Sequence, residues 1–178
     1  MPTVLYKQYK IKKDFCLSEG IDKAFTLQLL LQDANPDIRF LAARSLVTQN
    51  PPPDVVATLI KLLATDNEPL RQSIATRLDK LRHPRLIPVY REALNHQSHY
   101  VRNYAAECYG LFATAGELPA FVNLLKDAHP AVRCTAIWAI VRISKSGAIP
   151  SIINMLGDED PQVNKYLTLS LDKIIVAL

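Results

Sequence analysis

The chain has 178 residues, of which 49% are hydrophobic and 21% charged, and its formal net charge is +4. That composition supplies a full core and excludes an intrinsically disordered chain. No apolar run approaches the roughly 18 residues of a membrane-spanning helix, and the basic, interrupted start MPTVLYKQYKIKKDF lacks the apolar stretch of a secretory leader. A cytoplasmic location is expected.

The first segment, residues 1–22, stands outside any repeat. Val4-Leu5-Tyr6-Lys7-Gln8-Tyr9-Lys10-Ile11 partly alternates apolar and polar residues, the period of a strand. It predicts an extended or irregular N-terminal arm packed on the first repeat.

From residue 23 to 178 one outline recurs: Pro or a polar residue, an aliphatic-Arg pair, then small and aliphatic residues. It appears as PDIRFLAARSL, PLRQSIATRL, HYVRNYAAECYGL, PAVRCTAIWAI and PQVNKYLTLSL. The marker positions are Arg39, Arg71, Arg102, Arg133 and Asn164, spaced 32, 31, 31 and 31 residues apart. A fixed period of that length signals a stacked array whose units each bury a face on the next. The predicted fold is an all-α, right-handed α-solenoid of about five helix pairs.

Each first helix carries an aliphatic face, such as Val56-Leu59-Ile60-Leu63 or Leu118-Phe121-Leu124-Leu125. Pro88, Pro119 and Pro150 recur at the period and belong in a first turn, where the missing N–H costs little. A turn with Asp or Asn follows (Asp33, Asp66, Asn95, Asp127, Asp158), then the second helix. Counting the marker as zero, positions −1, +3 and +7 are apolar in every repeat, and spacings of four place them on one buried stripe. The marker Arg and the turn Asp predict a ladder of ion pairs, within a repeat or to the neighbouring turn.

Three cysteines, Cys16, Cys108 and Cys134, form no CxxC pair and leave one unmatched, which fits reduced thiols better than a disulfide framework. Residues 71–102 carry seven Arg/Lys against Asp79 and Glu92. Such a patch suits either an acidic partner or simple solvation, and nucleic acid is the minor reading. His96 and His99 alone do not make a metal site, and no phosphate loop or nucleophile motif occurs. No catalytic residue and no cofactor is assigned.

Paired helices with an aliphatic-Arg opening and Ala-Ala behind it resemble HEAT repeats. The short period resembles the HEAT-like phycobilisome lyases of the E/F type. Tyr104-Ala105-Ala106 is similar to the Arg-Tyr-Tyr-Ala-Ala-Trp-Trp segment of the E-type bilin lyases, with Glu107 and Cys108 where that family has two Trp. The resemblance implies a scaffold whose groove holds a bilin or a phycobiliprotein during chromophore attachment or removal. The alternative is a protein-interaction scaffold without chemistry. The candidate groove residues are Tyr104, Glu107, Trp138, Arg102, Cys134 and Arg44; Glu107 and Trp138 share position +5 in adjacent repeats. The expected partner is a phycobiliprotein or a second HEAT-like subunit. The apolar run Ile174-Ile175-Val176-Ala177-Leu178 adds the expectation of a dimer through residues 163–178.

Overall fold

Among the described residues all regular structure is helical. The computed structural model describes residues 4–18, 26, 29–45, 51–65 and 67–176, with side chains at most of these. Its helices are α1 (Val4–Ser18), α2 (Pro36–Ser45), α3 (Pro53–Lys61), α4 (Glu68–Asp79), α5 (Ile87–Ala93), α6 (His99–Phe112), α7 (Leu118–Leu124), α8 (Pro130–Ser144), α9 (Ile149–Ile152) and α10 (Pro161–Val176). Residues 1–89 and 90–178 form two compact units, and the boundary falls inside α5. In an array each repeat contacts only its neighbours, so contact density allows such a division.

In the first unit α1 packs on α2, and α2 on α4. The N-terminal segment is thus a helix and not an extended arm. Leu5, Tyr9, Lys12 and Cys16 fall four, three and four apart, a helical spacing that competes with the alternation, and contact with α2 decides between them. Tyr9 is buried, and Lys12 pairs with the turn residue Asp33. The α1 helix therefore takes the place that a preceding repeat would fill.

In the second unit α8 is the central helix, packed against α6, α7 and α10. Its burial shows that position: Val132, Ala136 and Ile140 on the expected stripe are inaccessible, and so are Ile137 and Ala139 on the adjoining face. The stripe is likewise buried at Ile38 and Ala42 in α2, at Leu70, Ile74 and Leu78 in α4, and at Val101, Ala105 and Tyr109 in α6. Leu46 lies outside the described residues. In α10 Val163 and Leu167 follow the rule, but Leu171 is half-buried, and Ser170 and Ile174 take over the last turns.

Pro119 and Pro150 sit in the first turns of α7 and α9. The first helices α5, α7 and α9 are short, each preceded by a 3-10 turn: Pro84–Leu86, Ala115–Glu117 and Lys145–Ala148. Thr114 and Glu117 form a reciprocal capping box before α7, which satisfies N–H groups that a helix start leaves open. The stretch Pro130–Met155 is long and apolar enough to cross a membrane by length and composition. It is not one straight helix: α8 ends at Lys145, whose φ is 49°, and α9 starts afresh at Ile149.

The marker arginines build a ladder that reaches forward. Arg102 donates from Nε and Nη2 to the Asp127 carboxylate, both at 2.7 Å, and from Nη1 to the carbonyls of His96 and Gln97. Arg133 repeats this one unit on, with Asp158 at 2.8 and 2.6 Å and the carbonyls of Asp127 and Ala128. Each guanidinium thus holds its own turn by the backbone and the next turn by its carboxylate. The acidic partner lies 25 residues on in the chain, not six residues back as the pairing within a repeat would have it. Arg71 keeps the backbone half, donating to the Thr65 carbonyl, and also pairs with Glu68 of its own helix. Asn164 donates only to the carbonyls of Asp158 and Asp160, the backbone half of the interaction.

Burial pushes the Asp127 and Asp158 carboxyls up, but the arginine and a backbone N–H two residues on outweigh it, and both end below the usual carboxylate range. A carboxyl depressed by folding adds stability above its unfolded pKa and loses it as pH falls through the folded value. The urea midpoint should therefore hold above about pH 4 and decline below it. Asp158→Asn, whose neutral side chain has no proton to take up, should show a shallower acid slope. An unchanged slope would mean that other carboxylates govern the acid limb.

The C-terminal apolar run divides between two environments. Ile174 is buried, Ile175 and Val176 are exposed, and Ala177 and Leu178 lie outside the described residues. The positions of α10 equivalent to Asn103, Ala106 and Gly110 of α6 are Lys165, Thr168 and Asp172, all exposed. On that face α10 is polar, whereas α8 has Cys134, Ile137 and Val141 there.

Candidate ligand pocket

The second helices α6, α8 and α10 run side by side in the second unit, and an open pocket of about 340 Å³ lies on them. Glu107 of α6, Cys134, Thr135 and Trp138 of α8, and Tyr166 of α10 line it. With a period of 31, position +5 of one repeat faces position +5 of the next, which brings Glu107 and Trp138 into one pocket.

Two hydrogen bonds fix the α6–α8 crossing. Thr135 Oγ1 donates to Asn103 Oδ1 at 2.8 Å, and Arg142 Nη1 donates to the Gly110 carbonyl at 2.9 Å. Gly110 sets how close the helices come. A Cβ there would stand 2.7 Å from Trp138 Cζ3, closer than any real contact, and 3.0 Å from the Ala139 Cβ, a tight one. The indole therefore lies against bare backbone, held as a wall while still half-buried.

Of the six residues singled out in the sequence, Glu107, Cys134 and Trp138 meet in this pocket. Tyr104 does not: position +2 of α6 turns inward and Tyr104 is buried in the core. Arg102 is committed to Asp127 and two carbonyls and is unavailable to a ligand in the pocket. The Arg44 side chain lies outside the described residues. Thr135 and Tyr166 were not singled out. Both are position +2, and Tyr166 follows the exposed Lys165 in a repeat that lacks the marker Arg, so the period alone gave them no signal.

The Cys134 thiol is raised, first by burial and next by the Asp160 carboxylate, against an opposing pull from Arg133. Tyr166 is raised by burial and by Cys134. Both stay protonated at neutral pH. An activated thiol needs the reverse setting, so Cys134 is a poor nucleophile here. Cys108 is buried, and Cys16 lies outside the residues with described side chains.

The basic stretch 71–102 is largely engaged: Arg71 with Glu68, Arg82 with Asp79, Arg85 with the Pro51 carbonyl, Arg91 with the Tyr109 hydroxyl and Arg102 with Asp127. His96 Nδ1 accepts the Ser98 N–H, and the His99 ring stacks on that of His129, 3.6 Å between centroids.

These features define a HEAT-repeat scaffold. The chain belongs to the family of HEAT repeats, whose profile matches residues 24–110 and again 87–172. Among solved structures it is similar to the complex of CpcE and CpcF of phycocyanin lyase from Nostoc sp. PCC7120, with a TM-score of 0.54 and 22% identity, over 85% of this chain and 64% of that one. It is also similar to YibA of Escherichia coli, with a TM-score of 0.50 and 22% identity, over 97% of this chain and 63% of that one. The chain spans less than two thirds of either neighbour. At these identities the likeness is one of fold. No curated protein sequence matches the chain.

Proposed function

We propose that this scaffold holds a phycobiliprotein on the α6–α8–α10 face and so assists attachment or removal of its bilin. The observation that carries the reading is the pocket itself, an open recess with a fixed indole wall on the second helices of a lyase-like repeat fold. The chain's contribution is positioning. When a thioether forms, the partner's thiol adds across the exocyclic double bond of the bilin, and its proton passes to carbon. Holding the two reactants together can supply much of the rate without a reacting group from the scaffold. The protonated Cys134 suits that role better than a covalent one. The bilin propionates would face solvent or the partner, since among the described residues Glu107 is the one charged side chain that lines the pocket.

The test is co-purification and titration against phycobiliprotein subunits, with and without free bilin. Trp138→Ala should weaken partner binding about tenfold or more, as expected for a central aromatic anchor, an effect larger than the stability lost with the half-buried indole. Wild-type protein that binds no phycobiliprotein subunit would remove this reading and leave an interaction scaffold for another partner.

A further inference from the structure

The pocket and the ridge of α10 beside it share one imbalance, and the inference drawn from it rests on reading this face as the partner-binding one. The Thr135 hydroxyl donates to Asn103, and Glu107 is already engaged within the chain. The groups left over are donors. The Trp138 indole N–H and the Tyr166 hydroxyl have no hydrogen-bond partner among the described residues. An indole nitrogen can only donate, and Tyr166 keeps its proton, because burial and the neighbouring Cys134 raise its pKa.

Cations stand beside these donors. Lys165 shares position +1 with Cys134, and Leu169 shares position +5 with Trp138. Lys165, Leu169 and Lys173 follow one another four residues apart, so they form a single ridge of α10, and all are exposed. Neither lysine has an ion-pair partner among the described residues. Arg142, at position +9 like Lys173, gives Nη1 to the Gly110 carbonyl. The acids of the preceding turn are engaged: Asp158 and Glu159 lie by Arg133, and Asp160 accepts the Gln162 N–H. The single carboxylate of α10, Asp172, is outnumbered by the two lysines. A fitting ligand must therefore bring acceptors and negative charge. A carboxylate brings both, and its hydrogen bonds from ammonium and hydroxyl groups are charge-assisted. Exposed ion pairs alone hold little, so an apolar anchor is needed as well. The Trp138 indole, preset by Gly110, and Leu169, 51% exposed, offer one at little ordering cost.

We infer that the Trp138–Tyr166 pocket and the Lys165–Leu169–Lys173 ridge together form a docking surface for an acidic segment of the partner polypeptide. An aliphatic side chain of that segment packs on Trp138 and Leu169, and the carboxylates flanking it accept hydrogen bonds from Tyr166 and the two lysines.

Trp138 is the one tryptophan of the chain, so its emission reports on this surface directly. The probes are capped peptides Glu-Glu-Leu-Glu-Glu, Gln-Gln-Leu-Gln-Gln and Lys-Lys-Leu-Lys-Lys, titrated into the full chain. The Glu peptide should change Trp138 emission saturably. The Gln peptide, of the same shape without charge, should bind about tenfold more weakly, and the Lys peptide not at all. Lys165→Gln combined with Lys173→Gln should weaken the Glu peptide about fivefold. Lys80→Gln combined with Lys126→Gln removes the same charge from two exposed lysines that lie on neither α8 nor α10, and should leave binding within about twofold. Equal binding of the Glu and Gln peptides, no response to any peptide at tens of millimolar, or equal effects of the two lysine pairs would each overturn the docking surface. If the Glu peptide fails while a phycobiliprotein still binds and still needs Trp138, the acidic docking segment is wrong and the scaffold reading stands. If the peptide series behaves as described and no phycobiliprotein binds, the docking surface stands and its partner is another protein with an acidic segment.

Discussion

Arg133→Ala should destabilise the chain by about 3 kcal/mol, the range found when one member of a buried ion pair is removed. The side chains of Arg133 and Asp158 are 6% and 7% exposed. Truncation leaves the Asp158 carboxylate buried opposite an empty space, and the carbonyls of Asp127 and Ala128 lose a donor as well. The forward link to the buried carboxylate of the next turn is what makes the loss large. Arg71→Ala is the control. Its carboxylate partner Glu68 is 54% exposed, and a pair of that kind contributes at most about 1 kcal/mol. Urea unfolding of both variants checks the difference. Equal losses would show that the forward bond to Asp158 adds nothing to the array. Arg133→Lys should recover only part of the loss, because one ammonium cannot serve a bidentate carboxylate and two carbonyls at once.

Gly110→Ala should lower stability by about 1–3 kcal/mol, the usual cost of an added methyl group in a filled contact. It should also alter the pocket. The new Cβ would meet the indole at 2.7 Å and the Ala139 methyl at 3.0 Å, so either Trp138 swings outward or α8 moves off α6. The Thr135–Asn103 and Arg142–Gly110 hydrogen bonds resist the second course, and a rotated indole is the expected outcome. A red-shifted Trp138 emission, with the helical circular dichroism kept, would report it. Unchanged emission and unchanged stability would mean that the close approach at Gly110 does not hold the wall. Gly116→Ala is the matched control, since a Cβ there meets nothing within 4 Å.

Much of the molecule could be read from the chain because its information is local and repeated. The period set the register, the −1, +3 and +7 positions of α4, α6 and α8 named the buried stripe, and Pro119 and Pro150 marked helix starts. A helix that buries one stripe against a neighbour must carry that stripe at helical spacing, whatever the neighbour is. The same logic brought Glu107 and Trp138 together, since equal positions in adjacent repeats stack.

Three features depended on tertiary contact. The segment Val4–Ser18 carries both an alternating and a helical pattern, and packing on α2 together with the Lys12–Asp33 pair selects the helix. The arginine ladder could close on the near aspartate or the far one. It closes on Asp127 from Arg102 and on Asp158 from Arg133, because stacking brings the next turn's carboxylate to the guanidinium fork while the nearer turn offers its carbonyls. The pocket gained Tyr166 and Thr135 and lost Tyr104 and Arg102. Sequence spacing gives the angle of a side chain about its own helix, but whether that direction opens on solvent, a neighbour or a recess is decided by the helices packed beside it.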